Sequence, residues 1–200
     1  MHTLPPSFLA AVVHPDYLGG VDTLLADFCR SLQAQGHCVG GVVQANRVRP
    51  GGGKWMLLQD VRTGEEFSIS QDLGAQSQSC CLDPAGVAQA STVLRQALLD
   101  RVDVTAANRF GALEAAGAGF ASELLALMAD ERPLLTLVSE KHLQAWRSFT
   151  GGLGYELPPC ASALHSWFAL VMKMKMEMEM EMEMQKTHTA LDWQEQWQER

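Results

Sequence analysis

The chain has 200 residues and a formal net charge of −8, with 23 acidic against 15 basic side chains. Hydrophobic residues make up 47% and charged ones 19%, enough to bury a core and too little charge for a disordered chain, at a length suiting one domain with an appendage. The acidic balance argues against a nucleic-acid backbone as main partner, and with no 18-residue apolar run the sequence predicts no membrane span.

Phe8 to Val13 reads as a buried strand that opens at His14-Pro15-Asp16-Tyr17-Leu18-Gly19-Gly20 into a turn-rich loop. Val21, Leu24, Leu25, Phe28 and Leu32 then form one apolar stripe of a helix, which Gly36 stops. Cys38 to Ala45 is a second strand, and Pro50-Gly51-Gly52-Gly53 breaks the chain before Lys54 to Val61. Thr63-Gly64 separates that run from Glu66 to Ser70, the pattern of an antiparallel hairpin. Asp83-Pro84 caps a helix whose buried face carries Val87, Ala90, Leu94, Ala97 and Leu98. Val102 to Ala107 is the next strand, followed by a glycine-rich loop over residues 108–119. Phe120, Leu124, Leu127 and Met128 mark another helix, Pro133 to Val138 a strand, Glu140 to Phe149 a helix capped by Ser139, and Leu153 to Leu157 a last extended stretch. Strands alternating with helices call for an α/β fold of three layers with a mostly parallel sheet, the hairpin being an inserted antiparallel excursion.

In such a sheet, ligands bind beyond the carboxyl ends of the strands. The loop over residues 14–22 has the layout of an anion-binding loop, with Gly19, Gly20, Asp22 and Thr23 at the helix start. Against the phosphate-binding pattern G-x-x-x-x-G-K-[ST], however, Val21 stands at the lysine and Asp22 at the hydroxyl residue. Two readings stand: Asp22 caps a helix dipole, or the loop is a degenerate anion or nucleotide site. The second loop carries Asn108, Arg109, Gly111, Glu114, Gly117 and Gly119. Arg109 could clamp an anion and Glu114 could act as a catalytic base; in the plainer alternative the two pair with each other or cap the following helix. Ser139, Lys141 and His142 form a third and weaker candidate. No familiar hydrolase triad or zinc-protease pattern is present.

The five cysteines, Cys29, Cys38, Cys80, Cys81 and Cys160, include no C-x-x-C pair, so the sequence predicts neither a disulfide framework nor a metal site. Met1 to Phe8 lacks a basic and then apolar leader, which makes a cytoplasmic location the expectation.

The motifs Asn108-Arg109-Phe110-Gly111-x-x-Glu114-x-x-Gly117-x-Gly119 and His142-Leu143-Gln144-Ala145-Trp146-Arg147-Ser148-Phe149 resemble the bacterial family of unknown function DUF2478. Gly40-Gly41-Val42-Val43-Gln44, Thr63-Gly64-Glu65-Glu66 and Ile69-Ser70-Gln71-Asp72-Leu73-Gly74 extend the resemblance to about residues 8–168. The order of elements is also similar to a nucleoside-triphosphatase family related to P-loop kinases. That likeness implies a P-loop-NTPase-like scaffold in which Asn108 replaces the Mg²⁺-ordering aspartate and Arg109 the water-polarising glutamate, while Gly111 and Glu114 match. Phosphoryl transfer depends on those charges. The resemblance therefore implies a regulatory domain that binds a nucleotide or small oxyanion, molybdate among them through the family's association with molybdate-transport genes. A protein–protein interaction module and an active nucleoside triphosphatase are the alternatives.

Residues 169–200 form a separate tail, in which seven of the ten methionines fall between Met172 and Met184 in alternation with lysine and then glutamate. Methionine and glutamate favour helices, and strict dipeptide repetition points to a low-complexity segment, either a frayed helix or disorder. A Met-rich surface for a partner or for a soft metal ranks below that reading.

Overall fold

The computed structural model describes residues 7–16, 18–48, 54–70 and 82–198, with side chains described as far as Lys186. Tyr17, the Pro50-Gly51-Gly52-Gly53 break, the Gln71-Asp72-Leu73-Gly74 part of the family motif, Cys80 and Cys81 lie outside the described residues.

The first apolar run is strand β1 (Leu9–His14), and the stripe that follows the glycine loop is helix α1 (Val21–Ala34), with Val21, Leu25, Phe28, Cys29 and Leu32 buried. Strand β2 (Val39–Gln44) comes next, then the short β3 (Arg47–Val48) and β4 (Lys54–Trp55), which pair with each other, and the hairpin of β5 (Leu57–Asp60) and β6 (Glu66–Ser68). Helix α2 (Pro84–Leu99) starts as its sequence predicts: the Asp83 carboxylate accepts from the Ala85 N–H at 3.0 Å and proline stands at the first helical position. Then follow β7 (Val104–Phe110), α3 (Ala112–Ala115), α4 (Ala121–Ala129), β8 (Leu134–Ser139), a 3₁₀ turn (Glu140–His142), α5 (Leu143–Phe149), β9 (Tyr155–Leu157) and α6 (Ala161–Gln198).

The main sheet has the order β6-β5-β2-β7-β8-β1-β9. From β2 to β9 every neighbour is parallel, while β5 runs antiparallel to β2 and β6 to β5. Two cores lie on the two faces. Alternation along the strands sends Ala10, Val12, Leu135 and Leu137 to the face covered by α1 and α6, and Leu9, Ala11, Leu134 and Val138 to the face covered by α2, α4 and α5. This is a three-layer α/β domain.

Three local differences from the sequence reading concern the site. Strand β7 does not stop at Ala107 but continues through Asn108 and Arg109 to Phe110. The continuation works because, between the paired positions Ala106–Leu135 and Arg109–Leu137, β7 has two residues, Ala107 and Asn108, against one on β8, Thr136, which is a bulge. Phe110 thereby keeps the facing of Ala107 and joins the same core, its ring 5.2 Å from Trp146 and 5.1 Å from Phe149. The run Lys54 to Val61 is broken into two strands of different sheets, and the segment read as a loop to residue 119 contains α3.

Helix α6 buries Leu164, Trp167, Phe168 and Val171, one helical stripe, against α1. Past Lys175, which reaches Asp103 at 3.1 Å, the methionines at 176, 178, 180, 182 and 184 are exposed on a continuing helix. No helix among the described residues is long and apolar enough to cross a membrane.

Candidate functional site

The carboxyl ends of β1, β2, β7 and β8 bring the candidate loops to one edge of the sheet, as parallel pairing requires. Gly20 forms the N-cap of α1 at φ +81°, a conformation that favours glycine, and no side chain caps the helix. A Cβ at Gly19 or Gly20 would meet nothing within 4 Å, so the loop borders open space. Thr23 is exposed and in the first turn.

The structure corrects the pairing of Arg109 with Glu114. Arg109 instead donates from Nε and Nη2 to Asp22 Oδ1, at 3.1 and 2.6 Å. Asp22 is therefore not a simple dipole cap: it ties the first turn of α1 to the end of β7. The pair is part-exposed, with 40% of the Arg109 side chain and 26% of Asp22 accessible. A second cation faces the other end of the same loop, Lys141 Nζ lying 3.6 Å from Asp16 Oδ2. Two aspartates thus hold the two cations that bracket the glycine loop.

Glu114 is buried, and each of its oxygens has a backbone partner. Oε2 accepts from the Gly111 N–H at 2.9 Å and Oε1 from the Phe120 N–H at 3.1 Å. The carboxylate staples the start of α3 to the start of α4. Gly119, at φ +60°, leaves room for it: a Cβ there would lie 2.1 Å from Oε1. Gly117, also at positive φ, meets nothing within 4 Å. The spacing from Glu114 to Gly117 and Gly119 is in this way a loop architecture.

Asn108 is 7% exposed, sits in the bulge at φ +28°, and donates from Nδ2 to Gln44 Oε1 at 3.1 Å. Gln44 in turn donates from Nε2 to Asn46 Oδ1 at 2.8 Å. The chain of carboxamides leaves Asn108 Oδ1 without a partner among the described residues. Beside it lies a cavity of about 410 Å³, whose apolar wall includes Met56, Leu58, Ile69, Val87, Leu113 and Phe120. Asp22 and Arg109 form part of its border. The sequence reading missed Gln44, Asn46 and this wall. Gln44 was findable, since it ends a strand at the carboxyl edge of the parallel sheet, where ligands of such folds bind. The wall was not, because it is assembled from β4–β5, α2 and α3.

Ser139 closes β8 and His142 ends the 3₁₀ turn; of that third group only Lys141 has an ion-pair partner at the loop, Asp16.

A mostly parallel sheet with helices on both faces and a glycine loop leading from β1 into α1 defines a three-layer α/β domain. The solution structure of a human cancer-related nucleoside triphosphatase shares this fold at a TM-score of 0.56 and 16% identity, over 83% of this chain and 97% of that one. The model of the family described as "Protein of unknown function (DUF2478)" matches residues 9–167, and the chain belongs to that family. It is also 40% identical over 167 residues to the molybdenum import ATP-binding protein ModC 2 of Bradyrhizobium diazoefficiens, which covers 82% of this chain and 18% of that protein. The chain thus spans less than a fifth of that relative's length.

Proposed function

We propose that the domain binds a small anionic ligand, a nucleotide or an oxyanion such as molybdate, at the glycine loop and Arg109, and that it serves as a regulatory module that does not hydrolyse what it binds. The observation carrying this reading is the Asp22–Arg109 pair. In an active P-loop enzyme, the loop lysine and a hydroxyl residue hold phosphate and Mg²⁺, and carboxylates at the end of a neighbouring strand complete the site. Here the helix start supplies a carboxylate and the strand end a guanidinium.

A divalent cation does not fit that arrangement. The carboxylate on α1 already faces a fixed positive charge. A guanidinium is instead a good anion ligand, planar and permanently charged. An entering anion would take Arg109 from Asp22, helped by the uncapped N–H groups of α1. Glu114 has both oxygens engaged by the backbone, so it anchors the loop in this reading. The name of the ModC relative, with its reference to ATP and molybdenum, puts nucleotides and molybdate at the head of the test panel.

The test is a thermal-shift panel of nucleotides, phosphate, sulfate and molybdate on the full chain, without added Mg²⁺. A ligand at a hundredfold excess over Kd adds about 2.7 kcal/mol, a rise of roughly 5 °C or more for a protein of this size. The rise should vanish in Arg109→Ala, while the unliganded melting point moves little, because a half-exposed ion pair contributes about 1 kcal/mol or less. No shift with any anion, or Mg²⁺-dependent nucleotide hydrolysis, would overturn the reading.

A further inference from the structure

The cavity beside Arg109 narrows the ligand class, and we infer that it receives the base of a nucleoside phosphate whose phosphate engages Arg109. This rests on the reading of Arg109 as the anion-binding group and adds the organic half of the ligand. An inorganic oxyanion would have no use for the cavity. At about 410 Å³ it is within the range of small-molecule sites, and its wall is largely aliphatic with one aromatic ring, Phe120.

Arg109 is the one cation among the described residues of its lining, and the phosphate takes it; Glu114 is already matched by two backbone N–H groups. The body of the ligand is therefore neutral. Its polar partners are the carboxamides of Gln44, Asn46 and Asn108, the side-chain type that reads base edges by paired donor and acceptor. The chain of donation among them starts at Asn108, whose Oδ1 has no partner among the described residues although only 7% of the residue is exposed. A purely apolar occupant would leave that acceptor empty. A base offering an N–H supplies it once the carboxamide turns to meet the ligand.

The experiment is calorimetric titration of the full chain, in the presence of a chelator, with the four common nucleoside monophosphates, ribose 5-phosphate and inorganic phosphate. At least one monophosphate should bind ten times more tightly than ribose 5-phosphate. Leu113→Trp and Ala112→Phe, two exposed positions on α3 that line the cavity, should remove that advantage and leave phosphate binding unchanged. Circular dichroism and melting of both variants confirm that they fold, and each serves as a control for the other. Equal binding of ribose 5-phosphate and every monophosphate overturns the cavity inference and leaves the anion reading intact. If no phosphate compound binds, a phosphate ligand is excluded and the anion reading falls to the sulfate and molybdate arms of the thermal-shift panel. The cavity is then decided by free nucleosides at millimolar concentration: binding abolished by Leu113→Trp sustains it, and no binding overturns it.

Discussion

Replacing Gly119 by alanine should be among the most costly single-methyl additions in this protein, and the structure says why. Two effects add. At φ +60° an L-residue with a Cβ is strained by about 1–2 kcal/mol. The added Cβ would also stand 2.1 Å from Glu114 Oε1, so the carboxylate must withdraw from the Phe120 N–H. Losing a hydrogen bond to a charged group, with a buried donor left behind, costs about 1.5–3 kcal/mol. The sum is roughly 3–5 kcal/mol, a large part of the stability of an ordinary domain. Urea unfolding of the full chain followed by circular dichroism measures it. The decisive result is a double-mutant cycle with Glu114→Ala. Once the carboxylate is gone, Gly119→Ala should cost only the backbone strain, about 1–2 kcal/mol, giving a coupling near 2 kcal/mol. Equal costs in both backgrounds, or a single-mutant cost below 1 kcal/mol, would refute the staple.

Two further outcomes test other parts of the fold. Gly86 lies in the first turns of α2 with the Ser68 carbonyl oxygen 1.9 Å from where a Cβ would be; Gly86→Ala should push α2 off β6 and lower stability by about 3 kcal/mol in the same urea assay, and a loss under 1 kcal/mol would show that the helix shifts freely. Burial alone would raise the Asp103 carboxyl, but the Cys38 N–H, the Lys175 ammonium and His37 outweigh it and hold it below the ordinary carboxylate value. A carboxylate lowered on folding stabilises above its unfolded pKa of about 3.9, and that contribution is lost as pH falls through the lower, folded value. Asp103→Asn should therefore flatten the fall of Tm below about pH 4 and change its neutral-pH value in one direction only, downward; an unchanged acid limb would remove Asp103 from the account.

How legible the molecule was depends on whether a feature is local. The α1 stripe from Val21 to Leu32 and the Asp83-Pro84 start of α2 were readable, because helix period and capping act within one or two turns. The end of β7 was not. Asn108 and Arg109 look like loop residues because they are polar and precede a glycine, yet the strand continues through them by pairing with β8, a segment some 30 positions later. Glu114 is the counterpart at the site. A carboxylate in a glycine-rich loop reads as a candidate base, and only the positions of the Gly111 and Phe120 N–H groups reveal that both its oxygens are engaged. Arg109 stood out in the sequence as a candidate, but its partner Asp22 lies 87 positions away and depends on the strand order.

The bulge links these observations. Strand residues alternate between faces, so without an extra residue Phe110 would turn away from Ala107 and out of the core it shares with Trp146 and Phe149. The insertion restores Phe110 to that core and leaves Asn108 at φ +28°, with Arg109 beside it against the start of α1. Packing on one face and the Asp22–Arg109 contact at the edge are thus two consequences of one irregularity. A substitution that straightened β7 would damage both, whereas Arg109→Ala would damage only the second. That separation lets the anion reading be tested without disturbing the fold.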